Sequence, residues 1–395
     1  MNRRDFLRSG TAAAAATSFS AKSYARVLGA NDRVGLGVIG LGRRGTIVSG
    51  MGFLKDPRAN FVALCDVYEA QTPRFISRLL SNQPAPYTSW RYQDVLDHKD
   101  VDAVYIATPD HLHVMIATAA LAAGKNVYLE KPTLHHWSER TALIAAAHKS
   151  SKVLQCGMQQ RSGAHYMQAK QELFDQKKLG HVVFARGTWD NFPWQTRNIG
   201  PKPEPPGMHW EQFEGPAPHV PWAWIRYTSW RYFPDYGNGL LADIMTHWVD
   251  VAQWMLNDPN PKTASALGGI YQLHDGRVNP DTVSAIVQYS DWNFNFESTV
   301  LPVRDPHPAV LFEGTEGTLM LSRGGYTFAP NEGQPVRVNA RESLEQAHTR
   351  NFLDAVIGGK KANASLQAGI DASVPVQMAL QSYWTHKTIT RQELT

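Results

Sequence analysis

Cysteine is scarce in this 395-residue chain, which has two. Cys65 and Cys156 each close a short apolar run that reads as a buried strand, so they are expected to pack in a core rather than to bridge, and a disulfide-stapled scaffold is excluded. Long apolar runs are also missing. The small-residue stretch from Ser9 to Ala21 is too short to span a bilayer, and no other segment is long and apolar enough. Charge of one sign is lacking as well: the formal net charge of +4 is spread along the chain and includes the basic N-terminus, so there is no nucleic-acid footprint. There is no internal repeat, and no low-complexity tract beyond the N-terminal residues.

What is present is enough chain for two cores. Its first residues, Asn2-Arg3-Arg4-Asp5-Phe6-Leu7-Arg8, followed by the Ser9–Ala21 run and small residues near Ser23-Tyr24-Ala25, resemble a twin-arginine (Tat) export signal cleaved before Arg26. The alternative is a disordered tail. A signal at 1–25 implies passage through the Tat machinery and a soluble periplasmic, or otherwise exported, protein with no stable membrane insertion after cleavage. Absence of disulfides suits a protein that folds in the reducing cytoplasm first.

From residue 33, Arg33 to Ile39 reads as a buried strand running into Gly40-Leu41-Gly42-Arg43-Arg44-Gly45, a GxGxxG turn opening a helix. Such a turn needs glycine for the bend, for close approach of a pyrophosphate and for helix packing. A second strand, Phe61 to Cys65, ends on Asp66, where an acid can bond both hydroxyls of an adenosine ribose. That acid favours NAD over NADP, although Arg43 and Arg44 leave NADP possible. Val104 to Pro132 then reads as strand, turn, alanine-rich helix and strand. Such a unit delivers Thr108, Pro109, His111, Glu130 and Lys131 to the ligand-binding edge of a parallel sheet. On the tripeptide alone, Lys131 reads equally well as a surface charge.

Past Cys156 the alternation of strand and helix stops. Strand-like runs at 182–189, 265–271, 282–289, 294–300, 310–313 and 317–321 predict one large, mostly antiparallel sheet, and helices at 348–357 and 368–388 return at the end. Asn191 to Pro221, dense in proline and tryptophan, reads as a long ordered loop. Eight of the twelve tryptophans fall between Trp189 and Trp254, and Trp194, Trp210, Trp222 and Trp224 are candidate walls of a substrate cleft or oligomer contact. After the Gly239 turn, Asp243 and His247 stand four apart on a helix, with Asp250 one turn on. A carboxylate beside a histidine suits a general base, while a capped, partly buried histidine is the plain alternative. No cysteine or histidine stands at ligand spacing from them, so no metal is expected.

VIGLGRRG, ATPDHLH, LEKP, a DxxxH helix after a glycine turn, Gly314-Thr315-Glu316-Gly317 and the NFLDAV helix together resemble the Gfo/Idh/MocA family of sugar-type oxidoreductases, across essentially all of the chain after residue 25. The resemblance, with its glucose-fructose oxidoreductase-type branch, implies an α/β protein. Its parts are an N-terminal Rossmann domain (26–156, a doubly wound parallel sheet) and a C-terminal α/β domain (157–395) with a large, mostly antiparallel open sheet, often an oligomer interface. It implies hydride transfer between NAD(P) and a CH–OH group of a sugar, polyol or glycoside. In it His247 takes the hydroxyl proton, Lys131 hydrogen-bonds the developing alkoxide, and Asp243 holds the imidazole. His111 lies on the nicotinamide side, and Gln160 and Arg161 join Trp194 and Trp210 as substrate candidates. Ile244-Met245 departs from the small residues many relatives have there. Export removes access to a nucleotide pool, so a tightly bound cofactor would return its hydride. It would do so to a second sugar or, as a redox-neutral glycosidase, to a keto-sugar after elimination and water addition. A nucleotide-binding sensor or assembly protein without turnover is the reading from another class.

Overall fold

The computed structural model describes residues 33–190, 200–301 and 309–394. The signal-like residues 1–25 and Trp194 lie outside the described residues.

Six fully buried residues make β1 (Val34–Ile39). With β2 (Ala59–Cys65), β3 (Tyr87–Ser89), β4 (Ala103–Ile106), β5 (Asn126–Leu129) and β6 (Leu154–Cys156) it forms a parallel sheet in the order β3-β2-β1-β4-β5-β6. Strand order reverses between β1 and β4, so the crevice at their carboxyl ends is the ligand edge of the sheet. Helices α1 (Arg43–Met51) and α2 (His113–Ala122) follow β1 and β4. Cys65 and Cys156 are buried free thiols.

The second sheet has nine strands: β7 (Val182–Thr188), β8 (Thr263–Gly269), β9 (Thr282–Gln288), β10 (Asn293–Thr299), β11 (Ala309–Gly314), β12 (Gly317–Ser322), β13 (Gly325–Pro330), β14 (Val336–Asn339) and β15 (Ile389–Thr390), in the order β14-β13-β12-β11-β7-β10-β9-β8-β15. All its pairs are antiparallel except β7 with β10. One face packs on α3 (Thr246–Leu256) and α5 (Leu366–Thr385). The helix α4 (Leu344–Gly358), capped by Ser343 and ended by Gly359 in the left-handed conformation, returns to the first domain. There its Phe352 and Leu353 join Phe53, Tyr105 and Tyr128.

Residues 200–238 are not a plain loop. Trp210–Glu214 is helical, and Met208, Trp210, Phe213, Tyr232, Phe233 and Tyr236 form a third core against Val67 and Tyr68. This corrects the expectation for Trp210 as a substrate-cleft wall: it is 6% exposed, stacked on Phe213 at 5.0 Å, and donates Nε1–H to the Val220 carbonyl. Removing indole area from water outweighs any gain from leaving it in an open cleft.

Candidate active site

The turn after β1 is built so that only backbone faces the crevice. Gly40 has φ of 91°, and a Cβ there would sit 2.6 Å from the Ala107 carbonyl oxygen; one on Gly45 would sit 2.0 Å from the Gly40 oxygen. Gly42, by contrast, has nothing within 4 Å of its would-be Cβ, so the start of α1 is open to an approaching anion. Asp66, at the end of β2, accepts the Leu41 N–H at 2.8 Å and the Tyr68 N–H at 2.9 Å. Burial pushes its carboxyl up to about 6 while these bonds pull the other way. Two lone pairs remain for ribose hydroxyls.

Arg43 is exposed at the mouth of this turn. Arg44 turns inward, where Nε donates to Glu130 Oε1 at 2.9 Å and Nη1 to Glu345 Oε1 at 3.3 Å. Two of its three nitrogens are thus committed to carboxylates. Three buried atoms around the crevice, Arg44 Nη2, Thr108 Oγ1 and Glu130 Oε2, have no hydrogen-bond partner among the described residues. Buried polar groups are ordinarily paired. Together with the open cradle at Gly42, these orphans fit a polar dinucleotide: Gly40 to Gly45 at the pyrophosphate, Asp66 at the ribose, Thr108 and Glu130 further along.

Lys131 leaves β5 through a cis peptide to Pro132. Its ammonium donates to the Asp243 carbonyl oxygen at 2.8 Å and to Asp243 Oδ1. Arg231, from the 200–238 segment, donates Nε–H to Asp243 Oδ2 at 2.8 Å. Burial would raise the Asp243 carboxyl, but Lys131 and Arg231 hold it down to about 2. Asp110 is packed beside this group, 3% exposed, and pushed up to about 8 by burial and by repulsion from Asp243, against the pull of Arg231 and Lys131.

The expectation that Asp243 orients His247 is therefore corrected. Both its oxygens serve cations, and charge-assisted bonds outcompete one to a neutral ring. His247 is instead held by Gln160, whose Oε1 lies 3.3 Å from Nδ1. Burial first, then Lys131, Arg323 and Arg44, keep the imidazole well below its usual proton affinity. It is neutral at pH 7, with Nδ1–H on Gln160 and the Nε2 lone pair free to take a proton.

Two further candidates are placed differently from the expectation. His111, 2% exposed, bonds through Nε2 with the Phe213 carbonyl at 2.8 Å and packs on Tyr236, under the 200–238 segment rather than open to the crevice; burial lowers it to about 4. Arg161 is paired with buried Asp250 at 2.8 Å and does not face a substrate alone. Pro109 precedes the short helical turn Asp110–Leu112 that carries both acid and histidine. The sequence reading missed Arg231, Asp110 and His113. The His113 ring lies between the Thr108 and Pro132 carbonyls at 3.1 and 2.8 Å, and as a neutral ring it donates to one of them. Asp110 and His113 had a signal, lying inside ATPDHLH; Arg231 had none. Among the described residues no group of side chains could hold a metal ion, and no helix is long and apolar enough to cross a membrane.

A dinucleotide cradle, a buried lysine–aspartate pair and a neutral histidine at the seam of two α/β domains define an NAD-binding oxidoreductase. The chain belongs to the Gfo/Idh/MocA family. Residues 34–158 match the oxidoreductase family with an NAD-binding Rossmann fold, and 167–320 match the GFO/IDH/MocA C-terminal domain. It is 26% identical to Oxidoreductase P35 of Formosa agariphila over 307 residues, 74% of this chain and 84% of that one. To levoglucosan dehydrogenase of Pseudarthrobacter phenanthrenivorans it is 28% identical over 172 residues, 43% of this chain and 36% of that one. Similar solved structures include levoglucosan dehydrogenase with NADH and levoglucosan (TM-score 0.71, 18% identity, covering 91% and 99% of the two chains). Another is GenD2 from gentamicin A biosynthesis with NAD (TM-score 0.69, 21% identity, covering 91% and 96%).

Proposed function

We propose that the protein oxidises a CH–OH group of a sugar, polyol or glycoside and works outside the cytoplasm with an NAD(H) that it keeps. The single observation carrying the chemistry is the neutral His247 beside the Lys131–Asp243 pair at the domain seam. Bound NAD supplies the hydride acceptor. His247 Nε2 accepts the hydroxyl proton as negative charge grows on the substrate oxygen, and Gln160 holds Nδ1–H so that the ring presents that lone pair. Lys131, fixed by Asp243 and Arg231, offers an N–H to the developing alkoxide. The complex of levoglucosan dehydrogenase with levoglucosan makes a carbohydrate the first substrate class to try.

Retention is supported by the 200–238 segment. It bridges Met208 to Tyr68, donates the His209 N–H to the Val67 carbonyl at 2.8 Å, and stacks His209 on Trp90 at 4.1 Å, all next to Asp66. A nucleotide there is covered at its ribose end. We also infer Tat export through residues 1–25, and a homo-oligomer formed through the outer sheet face, where Val183, Leu267, Ile286 and Met320 are exposed.

The test is to denature freshly purified protein, identify the released nucleotide by mass, and in parallel add sugars to the native protein while following reduced-nicotinamide absorbance. Stoichiometric NAD(H) and a sugar-dependent absorbance change are expected. Protein that yields no nucleotide overturns the retention reading, and protein that yields only NADP overturns the reading of Asp66; no sugar response with NAD present overturns the activity.

A further inference from the structure

Beside His247, three elements bring together groups that proton transfer does not use. Trp189, just past β7, lies 5.6 Å from the His247 ring, centroid to centroid. Arg323, in the turn between β12 and β13, lies over the Trp189 indole at 5.2 Å. Its nearest carboxylate oxygen, Glu345 Oε1 at 3.8 Å, is beyond hydrogen-bond reach and already takes Arg44. The Glu345 Oε2 atom takes the Ser343 hydroxyl at 3.1 Å. Arg323 Nε is buried with no hydrogen-bond partner, and so is the amide nitrogen of Gln160, which bonds His247 through its oxygen.

Charge at the seam is also unbalanced. Lys131, Arg44, Arg231 and Arg323 face Glu130, Asp243 and Glu345. Asp110, pushed up to about 8, is protonated near neutrality and does not supply the fourth negative charge. Among the described residues Arg323 is the one of these cations with no hydrogen-bonded carboxylate, and it stands over Trp189 next to His247. A guanidinium over an indole can still offer its N–H edge to a planar anion, and bidentate carboxylate is the ligand that matches this fork.

Resting on the proposed dehydrogenase reading, we infer that the substrate is an acidic sugar, a uronic acid or its glycoside. Its carboxylate is received by Arg323 and the Gln160 amide while Trp189 covers a sugar face. The hydroxyl being oxidised then sits under His247, one sugar ring's width from the carboxylate. Neutral sugars would leave Arg323 Nε buried and unpaired, which costs affinity for them. Cofactor phosphates are the competing anion, and the nucleotide content of Arg323→Gln separates the two.

The experiment uses the full holoprotein and two readouts: calorimetric binding, and reduced-nicotinamide absorbance. The probes are the methyl glycosides of glucuronic, galacturonic and mannuronic acids, each against its own uronate methyl ester, with wild type and Arg323→Gln. At least one acid should bind about tenfold or more tightly than its ester, as loss of one charge-assisted bond implies. Arg323→Gln should erase that preference while leaving nucleotide content and melting temperature unchanged. Equal binding of every acid and ester, or no binding of any, overturns the inference. So does a preference that survives Arg323→Gln, or an Arg323→Gln protein that sheds its nucleotide. Acid-selective binding without any absorbance change supports the acidic-sugar site and sinks the dehydrogenase reading alone.

Discussion

At the scale of single residues, the centre works by committing Asp243 to cations and His247 to an amide. Asp243 is spent on Lys131 and Arg231, leaving His247 to an uncharged amide. His247→Ala should lower kcat by about 10²- to 10⁴-fold, as loss of general base does, without altering nucleotide content. Gln160→Leu should cost about tenfold or more in kcat, because the ring then has no fixed tautomer; a fall in nucleotide content instead would place Gln160 at the cofactor. Since burial and three cations keep the His247 proton affinity far down, kcat/KM should stay level as pH falls through the ordinary histidine range. A steady-state profile that bends near pH 6.5 would refute that assignment. These residues were only half legible. Lys131, Asp243 and His247 stand in motifs, so the sequence names them. Which of them pair is decided by Arg231, brought from a segment with no motif, and by the Gln160 turn folding beneath the helix.

Among elements, the nucleotide turn separates two uses of glycine that the motif alone does not distinguish. A side chain on Gly45 collides with backbone at 2.0 Å, whereas one on Gly42 meets nothing. Gly45→Ala should therefore fail to fold or lose melting temperature heavily. Gly42→Ala should melt within about 0.5 kcal/mol of wild type yet retain little nucleotide, because its methyl stands where the pyrophosphate would come. Equal nucleotide content in Gly42→Ala and wild type would displace the cradle. The same local logic explains what the sequence revealed of the fold. Strands β1, β2, β4 and β5 are buried on both faces and bounded by turn residues, so their apolar runs are plain. The β13 and β14 hairpin escaped notice because β13 is bracketed by Gly325 and Pro330 and β14 is exposed along its length. Trp210 misled because aromatic density marks a core as well as it marks a cleft.

For the whole molecule, stability should peak near neutrality, from groups in both domains. Burial lowers His111, His113 and His348 to about 4 and His135 to about 2. The unfolded chain takes up these protons first, so stability present above pH 6.5 is lost as pH falls through 4. Asp66 and Asp110 act oppositely: raised to about 6 and about 8, they favour the folded state below pH 4 and lose that contribution as pH rises through those values. Among these six groups four histidines outweigh two acids on the acid side, and only Asp110 acts between pH 6.5 and 8. Melting temperature should thus be highest near pH 6.5, with Asp110→Asn flattening the alkaline slope. A melting temperature rising steadily toward pH 4 would contradict the burial of these histidines as neutral rings.

The 200–238 segment packs on the rim of the first sheet beside Asp66, where retention of a nucleotide is proposed. Besides the His209 stack on Trp90, His209 Nε2 bonds Glu69 at 2.8 Å, the Gln71 amide donates to the Tyr227 hydroxyl at 3.2 Å, and Tyr227 packs edge-on against Tyr68 at 5.9 Å. None of these side chains touches Lys131, Asp243 or His247, so loosening them tests retention without disturbing the chemistry. A ring stack contributes about 0.5–1.5 kcal/mol beyond its area, and losing it together with the hydrogen bond to Glu69 and one hydroxyl bond amounts to about tenfold or more in an opening equilibrium. Trp90→Ala with His209→Ala and Tyr227→Phe should therefore release nucleotide at least about tenfold faster in a dilution-and-filtration assay, and saturating NAD should restore the wild-type turnover rate. Unchanged release from that triple variant would mean that the cofactor leaves by another side, and that retention rests on the glycine turn and Asp66 alone.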